Sequence, residues 1–591
     1  MDFAELKDTT DSPLHHLTGL FFDPAMLSHI CLCHHGNNPQ VHPEHPLRIV
    51  SILERIAGMR LQIPPGLLSS EEQDSKVSTP DGLPLAFLCK WMRARMATRE
   101  ELAIFHTEEH ISRYCSEESS ATSSEDEGVH DRPMGDDDEV DQKPCIAKDI
   151  PMEVDIPPKK PAVKKTFNKS SFPLVTLRCG GVGVDSDTVW NPETTSKSAR
   201  LAVGQVICLA HNLACGSLRN GFALVHPPGH HAEPDQATGF CYFNSVAIAA
   251  LSILQSGLAS RVLILDWDIH HGNGTQFAAT QHPGLLYISL HRYDQGTFFP
   301  GTGSFHRQDS QANGGYIINI PWGCTDAATT SITVPATTAA RRESWRSITP
   351  HTKTVSSSSD SGVPEDVSAA LPLPMMLGQS WRDSSPTSSS AGSIDNSTIL
   401  KGFPGDSATG NGTIGLSDAE YLAAFRTLVI PMAAEFAPDV VLVSAGFDAA
   451  TGHGSALGGY EISPGAFAWM TRQCMSLANG KVGLVLEGGY VASVTAECVS
   501  NCINALVLPN PPPAVPSTAF CSSTNNRQCL AHLEDSLTTA KAWVPPSEFS
   551  RAPRPEAVKT LLEVAAVNAS RGKWKCLSNM DAASVAADFA L

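Results

Sequence analysis

The segment "LDWDIHHGNG", residues 265 to 274, closes the apolar run Val262-Leu263-Ile264 with Asp266, Asp268 and His270 in alternation, and then adds His271. Burying such groups is costly unless they are paired or hold a cation, so the cluster needs a partner. The device recurs: Val440-Val441-Leu442-Val443 leads into Ser444-Ala445-Gly446-Phe447-Asp448, and Leu484-Val485-Leu486 into Glu487-Gly488-Gly489-Tyr490. Upstream, "HPPGHHAEPDQATGFCYFN" supplies His230 and His231 in a Pro/Gly-rich loop, followed by Gly239, Phe240 and Tyr242. Two carboxylates and an imidazole with one open position suit a hydrolytic zinc site, although zinc more often takes His-rich ligation and magnesium or manganese also fit these ligand types. Taken singly, Asp268 with His270 reads as readily as a structural ion pair, and His230 and His231 as ordinary loop histidines. Their recurrence at the ends of successive apolar runs is what speaks for a shared centre.

The elements that must position these groups are legible in the pattern. "RVLILDWD", "LLYISLHR", "DVVLVSAGFD" and "KVGLVLEGGY" are β-branched apolar runs alternating with helical patterns such as 198 to 213 and 417 to 436. That alternation predicts an α/β fold with a parallel sheet buried on both faces. Residues two apart on a strand share a side, so Asp266, Asp268 and His270 would point together if the strand persists that far. Open α/β sheets carry their sites at these C-terminal strand ends.

The chain has 591 residues, 42% of them hydrophobic, which is enough for a large core. Its formal charge of −19 argues against a broad nucleic-acid-binding face and favours basic partners such as Lys-rich tails. The polar start, the lack of a membrane-length apolar run and 16 scattered cysteines lead us to expect no leader, no membrane span and a reducing location. Residues 116–170, acidic and Ser-rich and then basic, and residues 326–412, rich in Ser, Thr, Gly and Pro, read as disordered insertions. The expected organisation is an N-terminal extension over 1–17, one interrupted domain over 18–510, and a tail over 511–591 with a helix at 555–568.

The motifs "HPPGHHAE", "GFCYFNSVA", "DWDIHHGNGTQ", "SLHRYDQGTFFPGTG", "VSAGFDAATGH" and "LEGGY" occur in that order and resemble the zinc-dependent histone deacetylases. The resemblance covers about 18–114, 172–324 and 413–508, with a weaker echo in 553–577. "TGLFFDPAMLSHICLC", "HPEHPLRI", "CGGVGVDSDTVWN" and "YLAAFRTLVIPMAAEFAPDVVLVSAGFDA" are similar to class IIa. It implies an arginase/deacetylase-like fold, with a mostly parallel central sheet flanked by helices, and hydrolysis of acetyl-lysine in histone tails or other proteins, in nucleus and cytoplasm, with a corepressor complex as partner.

By motif, Asp268, His270 and Asp448 would hold the catalytic zinc, and His230 and His231 would move protons, His231 being the base. Asp266 would orient His230, and Asn273 stands behind His231, where a neutral amide leaves that ring less cationic. Gly239, Phe240 and Phe299 would wall a narrow channel. Asp266, Asp268, His270, Ser289 and Leu290 resemble a potassium site. Cys31, Cys33, His42 and Cys179 would hold a structural zinc, with His29 and His45 as alternates, although extra residues between Cys33 and His42 leave that choice open. Tyr490 is a departure, since many animal class IIa members have His there; a Tyr is an oxyanion donor, and Tyr490→His is expected to cut turnover. His226 is another, standing where relatives usually have Arg. The rival readings are an acetyl-lysine-reading corepressor scaffold and an acetylpolyamine amidohydrolase. "RRESWRSIT" and "KKPAVKK" fit a kinase target and an import patch, or simply solvated charge.

Overall fold

The computed structural model describes residues 18–35, 38–61, 83–93, 95–115, 174–305, 314–323, 415–511, 513–514, 551–570 and 574–577. Both expected insertions lie outside these residues, as do the kinase-target and import-patch segments. The described chain is built on one eight-stranded sheet. Its strands are β1 (Thr18–Phe21), β2 (Lys90–Met92), β3 (Asn220–Ala223), β4 (Val262–Asp266), β5 (Leu285–Arg292), β6 (Tyr316–Trp322), β7 (Val440–Ala445) and β8 (Val482–Leu486). They lie in the order β6-β5-β4-β7-β8-β3-β1-β2, and every neighbouring pair is parallel.

The apolar runs are continuous because both faces of the sheet are covered. On β4, Leu263 and Leu265 enter one core while Val262 and Ile264 enter the other. On β7, Val441 and Val443 alternate with Val440 and Leu442 in the same way. The first core takes the apolar stripe Ile49, Ile52 and Ile56 of α1 (Leu47–Gly58). The second is covered by α2 (Thr195–Cys215) and α3 (Ser245–Gln255). Asn244 starts α3 by accepting the Ala247 amide at 3.0 Å, a capping bond that fixes the end of the loop carrying Phe240 and Tyr242.

Strand β5 is preceded by the short helix α4 (Asn273–Gln281). The 417–436 pattern forms α5 (Asp418–Ala424), a π-helical turn over Phe425–Val429, and α6 (Ile430–Phe436). Two further helices, α7 (Pro464–Cys474) and α8 (Ala492–Val507), pack on the first core. The expected tail helix is α9 (Pro555–Ser570), and its Leu561 and Val564 are fully buried in that same core. A polar latch fastens it: buried Glu420 accepts from Arg551 at 3.0 Å and from the Arg554 amide at 3.0 Å. None of the described helices is long and apolar enough to cross a membrane.

The order β4-β7-β8-β3 decides where the chemistry falls. The three strands that lead into Asp268, Asp448 and Tyr490 are adjacent, and β3, which leads into His230 and His231, lies beside them. One mouth therefore gathers all of these loops.

Candidate catalytic and metal centre

Strand β4 ends at Asp266, so the expected continuation of its alternation to His270 does not occur. The grouping arises from carboxylate-to-backbone bonds instead. Asp266 Oδ1 accepts the Asp268 amide at 3.2 Å, and Asp268 Oδ1 accepts the His270 amide at 2.8 Å. These local bonds turn the chain while keeping its polar side chains together. His270 Nδ1 then lies 3.1 Å from Asp268 Oδ1 and 3.1 Å from Asp448 Oδ2. All three side chains are buried, and their ligand atoms fall within 4.8 Å of one another.

Backbone donors hold the remaining oxygens: the Ile269 amide bonds Asp448 Oδ1 at 2.9 Å and the Gly488 amide bonds Asp268 Oδ2 at 2.9 Å. Gly488 is required by this approach, since a Cβ there would sit 2.3 Å from Asp448 Oδ2. Burial opposes a proton on His270, but the bonds to Asp268 and Asp448 prevail and raise it to about 9. Burial, followed by the charge of Asp268, pushes Asp448 up to about 6. Two buried carboxylates are thus competing for positive charge, and a divalent cation fits the donor set and its spacing.

The two histidines beside this cluster have different partners. Their rings lie 3.9 Å apart between centroids. His230 Nδ1 meets Asp266 Oδ2 at 3.1 Å, and the Tyr287 hydroxyl donates to the same oxygen at 3.0 Å. Burial opposes the proton on His230, but Asp268 and Asp266 outweigh it and raise the ring to about 10. His231 Nδ1 meets Asn273 Oδ1 at 2.9 Å, and burial, then the positive His230 and His270, hold that ring well below the usual histidine range. The surroundings thus favour a proton on one imidazole and oppose it on the other.

Tyr490 stands where the β8 loop crosses the mouth. Its amide donates to His453 Nε2 at 2.7 Å, its ring meets Phe240 at 5.7 Å, and the Arg48 guanidinium lies 5.2 Å over it. Burial and the facing carboxylates Asp448 and Asp268 raise the phenol well above its ordinary value, so it stays a donor. Phe299 is 44% exposed at the rim and meets His231 at 5.1 Å, while Phe298 stacks on His270 at 5.0 Å. Gly239, at φ +55, passes so close to His231 that a Cβ would lie 2.6 Å from Cδ2. Of the residues assigned to potassium, Ser289 pairs with Asp266 in strand register, its hydroxyl lies 2.8 Å from His291 Nδ1, and Leu290 is buried beside it.

The Cys/His group assembles separately. Cys31, Cys33, His42 and Cys179 offer ligand atoms within 4.8 Å of one another, with Cys31 Sγ 3.7 Å from Cys179 Sγ and Cys33 Sγ 3.2 Å from His42 Nε2. Burial pushes the Cys31 thiol up to about 12, so a bound cation is what would hold it as thiolate. The donor set is that of a closed structural zinc site. The alternates lie outside this tetrad: His29 bonds Thr195 Oγ1 at 3.0 Å, and the ring nitrogens of buried His45 have no hydrogen-bond partner among the described residues.

Several contacts were not legible in the sequence. His226 Nδ1 meets Glu44 Oε1 at 2.5 Å, and Arg48 reaches that oxygen at 3.1 Å and the Gly489 carbonyl at 2.6 Å. Glu487 accepts the Gly229 amide at 2.7 Å and the Ser444 hydroxyl at 3.1 Å, tying the histidine loop to β7 and β8. Its position in "LEGGY", one residue past a buried strand, was the available signal.

A parallel sheet between helical layers carries at its C-terminal edge a buried Asp-His-Asp group that fits a divalent cation, with a histidine pair beside it. The Histone deacetylase domain profile matches residues 42–356 and 406–506, and the chain belongs to that family. It is 34% identical to human histone deacetylase 7 over 509 residues, covering 85% of this chain and 38% of that one. It is 35% identical to human histone deacetylase 9 over 490 residues, covering 83% and 34%, and 30% identical to histone deacetylase 4 of Caenorhabditis briggsae over 572 residues, covering 96% and 43%. The class IIa likeness seen in the motifs is that of these relatives, and the chain spans less than half of their length. The solved HDA15 HD domain shares the fold, with a TM-score of 0.54 and 24% identity over 95% of this chain and 97% of that one.

Proposed function

We propose that the protein hydrolyses the acetamide of N6-acetyl-lysine in histones or other proteins, releasing acetate and restoring the lysine ammonium. The observation that carries this is the convergence of Asp268, His270 and Asp448 beside two histidines with unlike partners, His230 on a carboxylate and His231 on an amide. Those three residues would hold a zinc ion, which when bound supplies the Lewis acidity that polarises the amide carbonyl and the attacking water.

The chain's own groups perform the rest. Phe240 and Phe299 wall a passage suited to the apolar stem of an acyl-lysine. His231, neutral with Nδ1 turned to Asn273, takes the proton of water at Nε2 and returns one to the leaving amine. His230, where Asp268 and Asp266 favour a proton, stabilises the negative charge that develops. Tyr490 donates its phenol proton as a hydrogen bond to the carbonyl oxygen as that oxygen becomes an anion. Its presence favours turnover over the scaffold reading. The charge of −19 suits Lys-rich tails better than nucleic acid.

Cys31, Cys33, His42 and Cys179 would hold a second, structural zinc. A potassium ion near Asp266, Asp268, His270, Ser289 and Leu290 belongs to the same proposal, as do action in nucleus and cytoplasm, a corepressor partner and a role in transcriptional repression. The test is acetate release from an acetyl-histone peptide and from an acetylpolyamine, with chelator and with added zinc. Chelator-sensitive, zinc-restorable release from the peptide supports the reading. Release from the polyamine alone, or none at all, overturns it.

A further inference from the structure

We propose that Glu233 is a positioning residue that sets the tautomer of His231 through Asn273; the inference rests on the deacetylase reading for its kinetic consequence but not for its structural one. The Asn273 amide is asymmetric, with an oxygen on one side and an NH2 group on the other, and either could face His231. Its Nδ2 donates to Glu233 Oε1 at 2.6 Å and approaches the His231 carbonyl at 3.4 Å. Both are acceptors, so the NH2 group must lie on that side. The oxygen is then committed to the imidazole, 2.9 Å from His231 Nδ1, which must donate. A neutral imidazole carries one N–H, and placing it on Nδ1 leaves Nε2 bare toward the reacting centre.

Turned the other way, the amide would set its oxygen against the Glu233 carboxylate and its NH2 against Nδ1. The ring proton would then move to Nε2, and the base would be blocked. Glu233 is itself well anchored. Its amide bonds the Gln236 carbonyl at 2.9 Å, and its own carbonyl lies 3.0 Å from His106 Nδ1. The next residue is held as well, since the Thr107 amide bonds the Pro234 carbonyl at 2.8 Å. The Glu233 carboxylate reaches the histidine pair through the Asn273 amide, so its influence on His231 runs by way of that side chain. Bidentate acceptors would not need such help: an aspartate at position 273 presents oxygen on both sides, but beside Glu233 it would place two carboxylates in contact.

The test combines kinetics with a direct reading of the ring. On an acetyl-lysine peptide, Glu233→Ala is expected to lower kcat at least tenfold with KM within threefold, and Glu233→Gln, which keeps an acceptor for Asn273 Nδ2, recovers most of that loss. Asn273→Asp alone is expected to lose activity, and adding Glu233→Gln to it restores activity at least fivefold. Equal losses in Glu233→Ala and Glu233→Gln, or Glu233→Ala within twofold of the parent chain, overturn the inference. The second readout is the long-range 1H–15N spectrum of histidine-labelled protein, with His231 identified by its loss in His231→Gln. The Nδ1–H form is expected in the parent chain and a shift toward Nε2–H in Glu233→Ala; an unchanged tautomer overturns the inference. That spectrum can be read even if the parent chain releases no acetate, in which case the deacetylase reading fails separately.

Discussion

Replacing Tyr490 by Phe removes one hydroxyl and little else. The ring is held by its 5.7 Å contact with Phe240 and by Arg48 above it, and the local backbone by bonds from the Tyr490 and Val491 amides to His453 Nε2 at 2.7 and 3.1 Å. None of these contacts involves the phenol oxygen, so Phe keeps the packing and the loop. What is lost is a donor aimed at charge that exists only in the transition state. A single oxyanion donor contributes about 3 kcal/mol, or roughly a hundredfold in kcat. Because the substrate carbonyl is neutral, KM should move by less than about threefold. Tyr490→His, whose shorter side chain cannot reach the same point, should lose at least as much. The assay is steady-state acetate release from an acetyl-lysine peptide, with thermal denaturation as a check on folding. A Tyr490→Phe variant that keeps its fold and more than a third of the parent kcat would refute the assigned role.

Metal analysis of the purified chain should give two zinc ions, falling to one in Asp448→Ala and to one in Cys179→Ser; a parent chain with a single ion retained in Cys179→Ser would remove the second site. Leu561→Ala, in the fully buried face of α9, should destabilise the domain by about 2–5 kcal/mol in urea unfolding, and an effect below about 1 kcal/mol would mean that this helix is not part of the core. Acid should remove the stability contributed by buried neutral histidines. Burial holds His291 down at about 3, from an ordinary value of 6.5, and pushes His106 well below that value. The unfolded chain therefore binds protons that the folded chain refuses. The share of stability that these two rings contribute is full above their ordinary value and is lost below it, by about 2 kcal/mol for His291 between pH 7 and 5, while His230 and His270, held above their ordinary values, act in the opposite sense. The check is the difference in urea midpoint between the parent chain and His291→Gln at pH 7 and at pH 5, which should shift in the variant's favour as the pH falls.

The strands and the cluster of Asp268, His270 and Asp448 were legible because each rests on a local signal. A run such as Val262 to Leu265 is apolar at every position, as burial on both sides requires, and Asp268, His270 and Asp448 lie within five residues of the ends of such runs. The Cys31, Cys33, His42 and Cys179 group was legible from its donor chemistry together with a motif likeness. Asp268 and His270 were grouped for an incomplete reason: the strand stops at Asp266, and turn bonds to carboxylate oxygens bring the groups together. What could not be read was the partnering of charges far apart in sequence. Glu44 and His226 are separated by 182 positions, and Glu420 and Arg551 by 131, and nothing in either neighbourhood announces the other. Glu233 and Asn273 are closer, but only the orientation of an amide reveals their link.

The order of the sheet carries a consequence for how the molecule could be divided. Strands β7 and β8 come after residue 414, yet they lie between β4 and β3, which come before residue 305. A cut anywhere in 324–414 would give two fragments whose strands interleave like the fingers of clasped hands. Asp268 and His270 would sit on one fragment and Asp448 on the other, so neither alone could form the proposed metal centre, and recovery of the proposed hydrolysis would report their reassembly.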